Sequence, residues 1–159
     1  MANRINEYVH YRPMGSEYLR DGRSPLPENE AVSRSMRSNK GRNTSPELML
    51  RCALRALGHM GYRLNWKKVP GSPDICFVGK KVAIFVNGCF WHRCPKCDLP
   101  LPKTHMDYWS SKFERNMERD KSNEESLKAA GWTVITVWEC EVKSSPKDVA
   151  EKISIILNH

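Results

Sequence analysis

Chemistry in this chain concentrates in a few short runs. Cys89-x4-Cys94-x2-Cys97, with Cys140 far downstream, places four thiolates at the spacings that satisfy a tetrahedral zinc ion. A shell of sulfurs alone argues for a closed, structural Zn2+ site, since catalytic zinc keeps an open position. His92 lies inside the same loop and is the competing ligand, although four sulfurs already fill the shell. Its imidazole can also take a proton near neutral pH and so activate a water.

A second constellation is made of oxygens. Pro73-Asp74 opens a strand that faces Val86 near the end of its hairpin partner. A carboxylate beside a backbone carbonyl offers hard ligands to Mg2+, whereas the bland alternative is a solvated Asp after a turn. Glu47, in the first turn of a helix, is either a partner of the helix dipole or part of an acidic cluster. Phe90 and Trp91 sit side by side in the cysteine loop. They serve either as a wedge between stacked bases, exposed in the free protein, or as a cap over the zinc site.

The elements that must position these groups are legible in outline. Residues 1–27 carry Pro13, Gly15, Gly22, Pro25 and Pro27 without apolar periodicity and read as a flexible arm, leaving 28–159 as one domain. Glu28 to Met36 forms a short helix, followed by a turn at Asn39, Lys40 and Gly41. Ser45 caps a second helix with Pro46 at its first position; Leu50, Ala53, Leu54 and Leu57 line it, and Gly58 or Gly61 closes it. Strands follow at Tyr62–Trp66, Ile75–Val78 and Val82–Val86. A long helix runs from an Asp107 cap to Gly131. Thr133–Trp138 is apolar on both faces, as in a central parallel strand. A last helix opens at Ser145-Pro146 with Val149, Ile153, Ile156 and Leu157 inward. The order αβββαβα implies an α/β fold, a mixed sheet flanked by helices.

Lys and Arg outnumber Asp and Glu by 26 to 18 in 159 residues, a formal net charge of +8. Such an excess favours a polyanionic partner. Between Ala31 and Ser45 the only charges are Arg34, Arg37, Lys40 and Arg42. No apolar run spans a membrane and no signal segment opens the chain, so a cytoplasmic protein is expected. Six cysteines in that setting do not form a disulfide framework, and Cys52 and Cys76, in apolar surroundings, read as buried packing residues.

Thr44–Glu47, Gly71–Asp74, Val82–His92, Asn116–Asp120 and Val137–Cys140 together resemble the very short patch repair (Vsr) DNA mismatch endonucleases, in collinear order from about Ser33 to Cys140. The Gly88-Cys89-Phe90-Trp91-His92 run is the most specific part. The resemblance implies a restriction-endonuclease-like core carrying a structural zinc loop. It also implies cleavage of one strand beside a T:G mismatch left by deaminated 5-methylcytosine, in company with a cytosine-5 methyltransferase. Matched position by position, Asp74 is the magnesium carboxylate, with the Val86 carbonyl a second ligand. His92 is the general base and Glu47 the first-helix acid. Phe90, Trp91 and Trp109 form the aromatic wedge, Met36 enters from the other groove, and Lys112 and Asn116 lie near the mismatch. Cys89, Cys94, Cys97 and Cys140 are the zinc set.

The chain departs from the family pattern too. Asn87 stands where a second active-site His is common, Cys94 replaces a His ligand, and no acid-x-Lys pair lies near Phe85–Asn87. The expected protein is a monomer bound to double-stranded DNA in the bacterial nucleoid. The alternatives are a restriction-type nuclease of the same fold and a zinc-dependent DNA-binding module without catalysis.

Overall fold

A computed structural model describes residues 25–27 and 29–159; most of the arm expected over 1–27 lies outside them. Helix α1 spans Glu30–Ser38, two residues later than expected, because Asn29 caps it by accepting from the Val32 N–H at 2.9 Å. Arg34, Arg37, Lys40 and Arg42 are all exposed along it and the following turn, and Met36 is half-buried.

Helix α2 spans Ser45–Ala56, and its cap is Thr44 rather than Ser45. Glu47 decides this, because its carboxylate reaches back to the Thr44 N–H (3.2 Å) and hydroxyl (2.7 Å). Leu50 and Leu54 face inward, while Leu57 is the exposed C-cap before Gly58 at φ 83. Cys52 falls two residues from Leu50, on the opposite side of the helix, and is exposed; the expectation of burial holds only for Cys76.

Strands β1 (Arg63–Leu64), β2 (Ile75–Phe77) and β3 (Val82–Asn87) form an antiparallel meander. β1 is shorter than expected because Asn65 turns left-handed at φ 45. Val78 leaves β2 for a 3-10 turn over Val78–Lys80, and Lys81 (φ 50) reverses the chain into β3. Helix α3 covers Met106–Ala129, so Asp107 lies within its first turn and His105 precedes it. Gly131 (φ 77) ends it as expected. Strand β4 (Thr133–Trp138) runs parallel to β3, in register from Val82↔Thr133 to Asn87↔Trp138.

The sheet order is β1-β2-β3-β4, which makes β4 an edge strand, not the central one expected. Its two apolar faces have separate causes. Val137 and Ile135 belong to the main core, and the alternate residues turn toward α3, which packs on β4. A helix the sequence did not suggest, α4 (Glu139–Ser144), follows β4 directly and carries Cys140. Helix α5 (Pro146–Asn158) closes the chain. Its inward line is Val149, Ile153 and Leu157, one residue every four; Ile156, expected inward, is 40% exposed. Leu50, Leu54, Ile75, Ile84, Val142, Ile153 and their neighbours form the core between α2, α4, α5 and one face of the sheet. Among the described residues no helix is long and apolar enough to cross a membrane.

Candidate functional site

The start of β2 and the end of β3 define the site. Pro73 is fully buried, and the Asp74 carboxylate accepts the Val86 N–H at 2.7 Å across the antiparallel pair. Desolvation pushes this carboxyl up to about 6. The Val86 N–H opposes the rise, Glu47 adds to it, and His92 and Arg51 oppose it. Residues from α2, β2, β3 and the cysteine loop therefore share one electrostatic neighbourhood. A desolvated carboxylate beside a second acid is short of positive charge, which suits a hard divalent cation.

Glu47 is buried, and both its oxygens are engaged locally: Oε2 accepts the Asn43 N–H at 3.0 Å and Oε1 the two Thr44 donors. It builds the helix start as well as facing Asp74. Arg51, one turn on, is 4% exposed; its Nε reaches the Glu47 carbonyl (3.3 Å) and its Nη2 the Asn43 Oδ1 (2.8 Å). The sequence reading missed Arg51, although an Arg four residues after an acid on one helix face is a visible pattern.

His92 pairs through Nδ1 with the Asp120 carboxylate of α3. Asp120 was not singled out either, yet it stands one turn beyond Asn116, on the same face. Asn116 donates to the Trp91 carbonyl at 3.1 Å, so α3 grips the loop on both sides of the His92 peptide.

The loop itself is cross-tied rather than periodic. The ligand sulfurs of Cys89, Cys94, Cys97 and Cys140 all lie within 4.8 Å of one another, with Cys94 and Cys140 at 3.8 Å. A tetrahedron of zinc–sulfur bonds has edges of about 3.8 Å. The cluster is close enough to hold a metal ion. Burial pushes the Cys89 thiol up to about 12, so a cation is needed to hold it as thiolate. Helix α4 seals the arrangement: Glu139 accepts the Cys89 N–H (3.2 Å) and pairs with Lys143, and Glu141 pairs with Lys96.

Phe90 and Trp91 fit neither simple expectation. Both are half-buried, packed against Trp109 and Phe113 of α3 instead of standing free. Phe90 meets Trp91, Phe113 and Trp109 edge-on at 5.1, 5.3 and 5.7 Å, and Trp109 stacks on Phe113 at 5.8 Å. Lys112 lays its ammonium over Trp91, Tyr108 and Trp109 at 5.2 to 5.5 Å. Met36 lies on α1, half-buried.

A carboxylate, an imidazole–carboxylate pair and a brace of thiols thus stand together in a basic chain. Comparison with known proteins identifies the class. Residues 27–98 match the family model for DNA mismatch endonuclease Vsr. The type II nicking enzyme V.XorIIP of Xanthomonas oryzae is 43% identical over 107 residues, 67% of this chain and 78% of that protein. V.NaeI of Lentzea aerocolonigenes is 45% identical over 125 residues, 76% of this chain and 74% of its own. The DNA mismatch endonuclease Vsr of Escherichia coli is 32% identical over 122 residues, 77% of this chain and 78% of that one. The chain belongs to the Vsr endonuclease family, and its four-stranded mixed sheet is consistent with the restriction-endonuclease-like fold.

Proposed function

We propose that this endonuclease nicks one strand of double-stranded DNA beside a T:G mismatch left by deaminated 5-methylcytosine, using Mg2+ for catalysis and Zn2+ for structure. The observation that carries this reading is a juxtaposition. One loop brings His92 into the neighbourhood of Asp74 and, one and two residues earlier, presents the Phe90–Trp91 pair. Chemistry and the opening of a base step then share one rigid mount. Residues 28–159 act as the nuclease domain, working as a monomer on nucleoid DNA in the cytoplasm, alongside a cytosine-5 methyltransferase.

Asp74 and the Val86 carbonyl would hold the magnesium ion, which, when bound, polarises the scissile phosphate and steadies the departing oxygen. Asp120 accepts from Nδ1 of His92 and so leaves Nε2 to take a proton from the attacking water. Glu47 and Arg51 hold the start of α2 against Asp74. Cys89, Cys94, Cys97 and Cys140 would hold zinc, pinning the loop to the start of α4. Phe90, Trp91 and Trp109 enter the mismatched step, which is cheaper to unstack than a paired one. Lys112 and Asn116 follow from α3, and Met36 approaches from the opposite groove.

Two of the relatives are named as nicking enzymes without mention of a mismatch, so cutting a fully paired site is the competing reading. Duplexes differing only in T:G or C:G at one position separate the two. The T:G duplex is expected to be nicked far faster, in one strand, with magnesium present, and not at all by Asp74→Ala. Equal rates on both duplexes would overturn the mismatch reading; nicking by Asp74→Ala would overturn the metal assignment.

A further inference from the structure

Arg93 follows the proposed base directly and is used by nothing described above. It turns the loop in a left-handed conformation at φ 53. Its guanidinium lies 5.2 Å over the Phe113 ring, at the base of the aromatic cluster. Among the described residues it pairs with no carboxylate, and its Nη1, shielded from solvent, has no hydrogen-bond partner. Burying a charged donor unpaired is costly. Nothing in the cluster recovers that cost, because ring faces satisfy charge but not the N–H. A cheaper residue for packing on Phe113 would be any unbranched apolar side chain. The guanidinium fits a partner that arrives from outside, carries negative charge and offers oxygen acceptors. DNA phosphate has that chemistry.

We propose that Arg93 is a DNA-binding residue held in store by the aromatic cluster. When Phe90, Trp91 and Trp109 leave one another for the bases, Nη1 is uncovered and takes a phosphate oxygen beside the scissile position. The free protein then carries a destabilising donor that binding relieves. This rests on the reading that the aromatic cluster opens onto DNA.

The test is a pair of variants, Arg93→Met and Arg93→Lys, with binding isotherms over a range of salt in magnesium-free buffer. The duplex is whichever one the wild-type protein nicks, so failure of the T:G reading leaves this test standing. Arg93→Met keeps the stem on Phe113 and removes the donor. It is expected to retain its metal and melt no lower than wild type. It should bind DNA roughly tenfold more weakly, with a salt dependence shallower by about one phosphate contact. Arg93→Lys, keeping the charge, restores the salt slope. An unchanged slope in Arg93→Met, with a lower melting temperature, would show that Arg93 serves packing alone.

Discussion

The two halves of the site are built on opposite plans. On the Asp74 side the residues stand on or directly beside regular structure: Glu47 and Arg51 on α2, Asp74 immediately before β2, Val86 near the end of β3. There the geometry comes from backbone ladders, and the strain is electrostatic, with Asp74 desolvated beside a second acid. On the loop side, from Gly88 to His105, no helix or strand is present. Four sulfurs, a ring cluster and ties from Asn116, Asp120 and Glu139 hold it instead. The first half is overdetermined in shape and underpaid in charge; the second is the reverse. A rigid carboxylate with unmet charge suits an exchangeable cation, and a loop held by side chains suits the rings proposed to change partners.

The largest effect expected is on the loop side. Cys140→Ser removes one ligand of four from the staple between the loop and α4. Structural zinc in small domains contributes on the order of 10–16 kcal/mol, so a variant that no longer retains the ion is expected to lose more stability than any other change considered. Native mass spectrometry should find one zinc in wild type and none in the variant, with a lower melting temperature. If the wild-type chain is metal-free and folded, the loop is held by rings and ion pairs alone.

On the Asp74 side the expected change has the opposite sign. A carboxyl raised from 3.8 to about 6 keeps a proton in the folded state that the unfolded chain releases. Its contribution therefore falls as pH rises through that window, and the full penalty persists above it. Asp74→Asn keeps an acceptor for the Val86 N–H but carries no charge. In magnesium-free buffer it should be more stable than wild type by about 1–3 kcal/mol at pH 8, converging near pH 4, while nicking is lost. In wild type, magnesium binding should weaken below about pH 6 as protons compete. A less stable Asp74→Asn at pH 8 would mean that Arg51 and His92 already compensate the carboxylate.

This contrast also explains what could be seen in the sequence. Turn chemistry and β-branched runs placed β2, β3, β4 and α2 within one or two residues, because those signals are local. The α2 cap lies one residue before the expected Ser45, since Thr44 wins through the Glu47 side chain rather than by its own preference. The edge position of β4 was invisible, because apolar faces do not tell which side of a strand lacks a neighbour. The cysteine spacing announced the sulfur cluster, but α4 did not show. Its six residues are too few for a period, and Glu139 and Glu141 serve the loop as much as the helix. Asp120 is hidden because it acts through His92, which only folding brings near, whereas Arg51 and Glu47 stand one helical turn apart in a pattern the sequence displays.

The smallest effect is the one that decides what the rings are for. Trp91 touches Phe90 and Trp109 at 5.1 and 6.0 Å and lies under the Lys112 ammonium. Trp91→Leu keeps an apolar body at the site but removes the π-face, so the edge-on contact with Phe90, the tilted contact with Trp109 and the cation contact are lost. Aromatic pairs contribute roughly 0.5–1.5 kcal/mol beyond burial, and half-exposed ones lie at the low end, so a stability loss of about 1 kcal/mol is expected. Stacking on an opened base step is worth more, about 1–3 kcal/mol per ring, or tenfold and upward in affinity. The two roles thus separate by substrate. A wedge loses about tenfold on the T:G duplex and little on the C:G duplex, because phosphate contacts from Arg34, Arg37, Lys40 and Arg42 act on both. A cap loses stability and weakens both duplexes alike. A melting curve with two isotherms at one salt concentration reads the difference, and an unchanged T:G preference would leave the cluster as a brace for His92 alone.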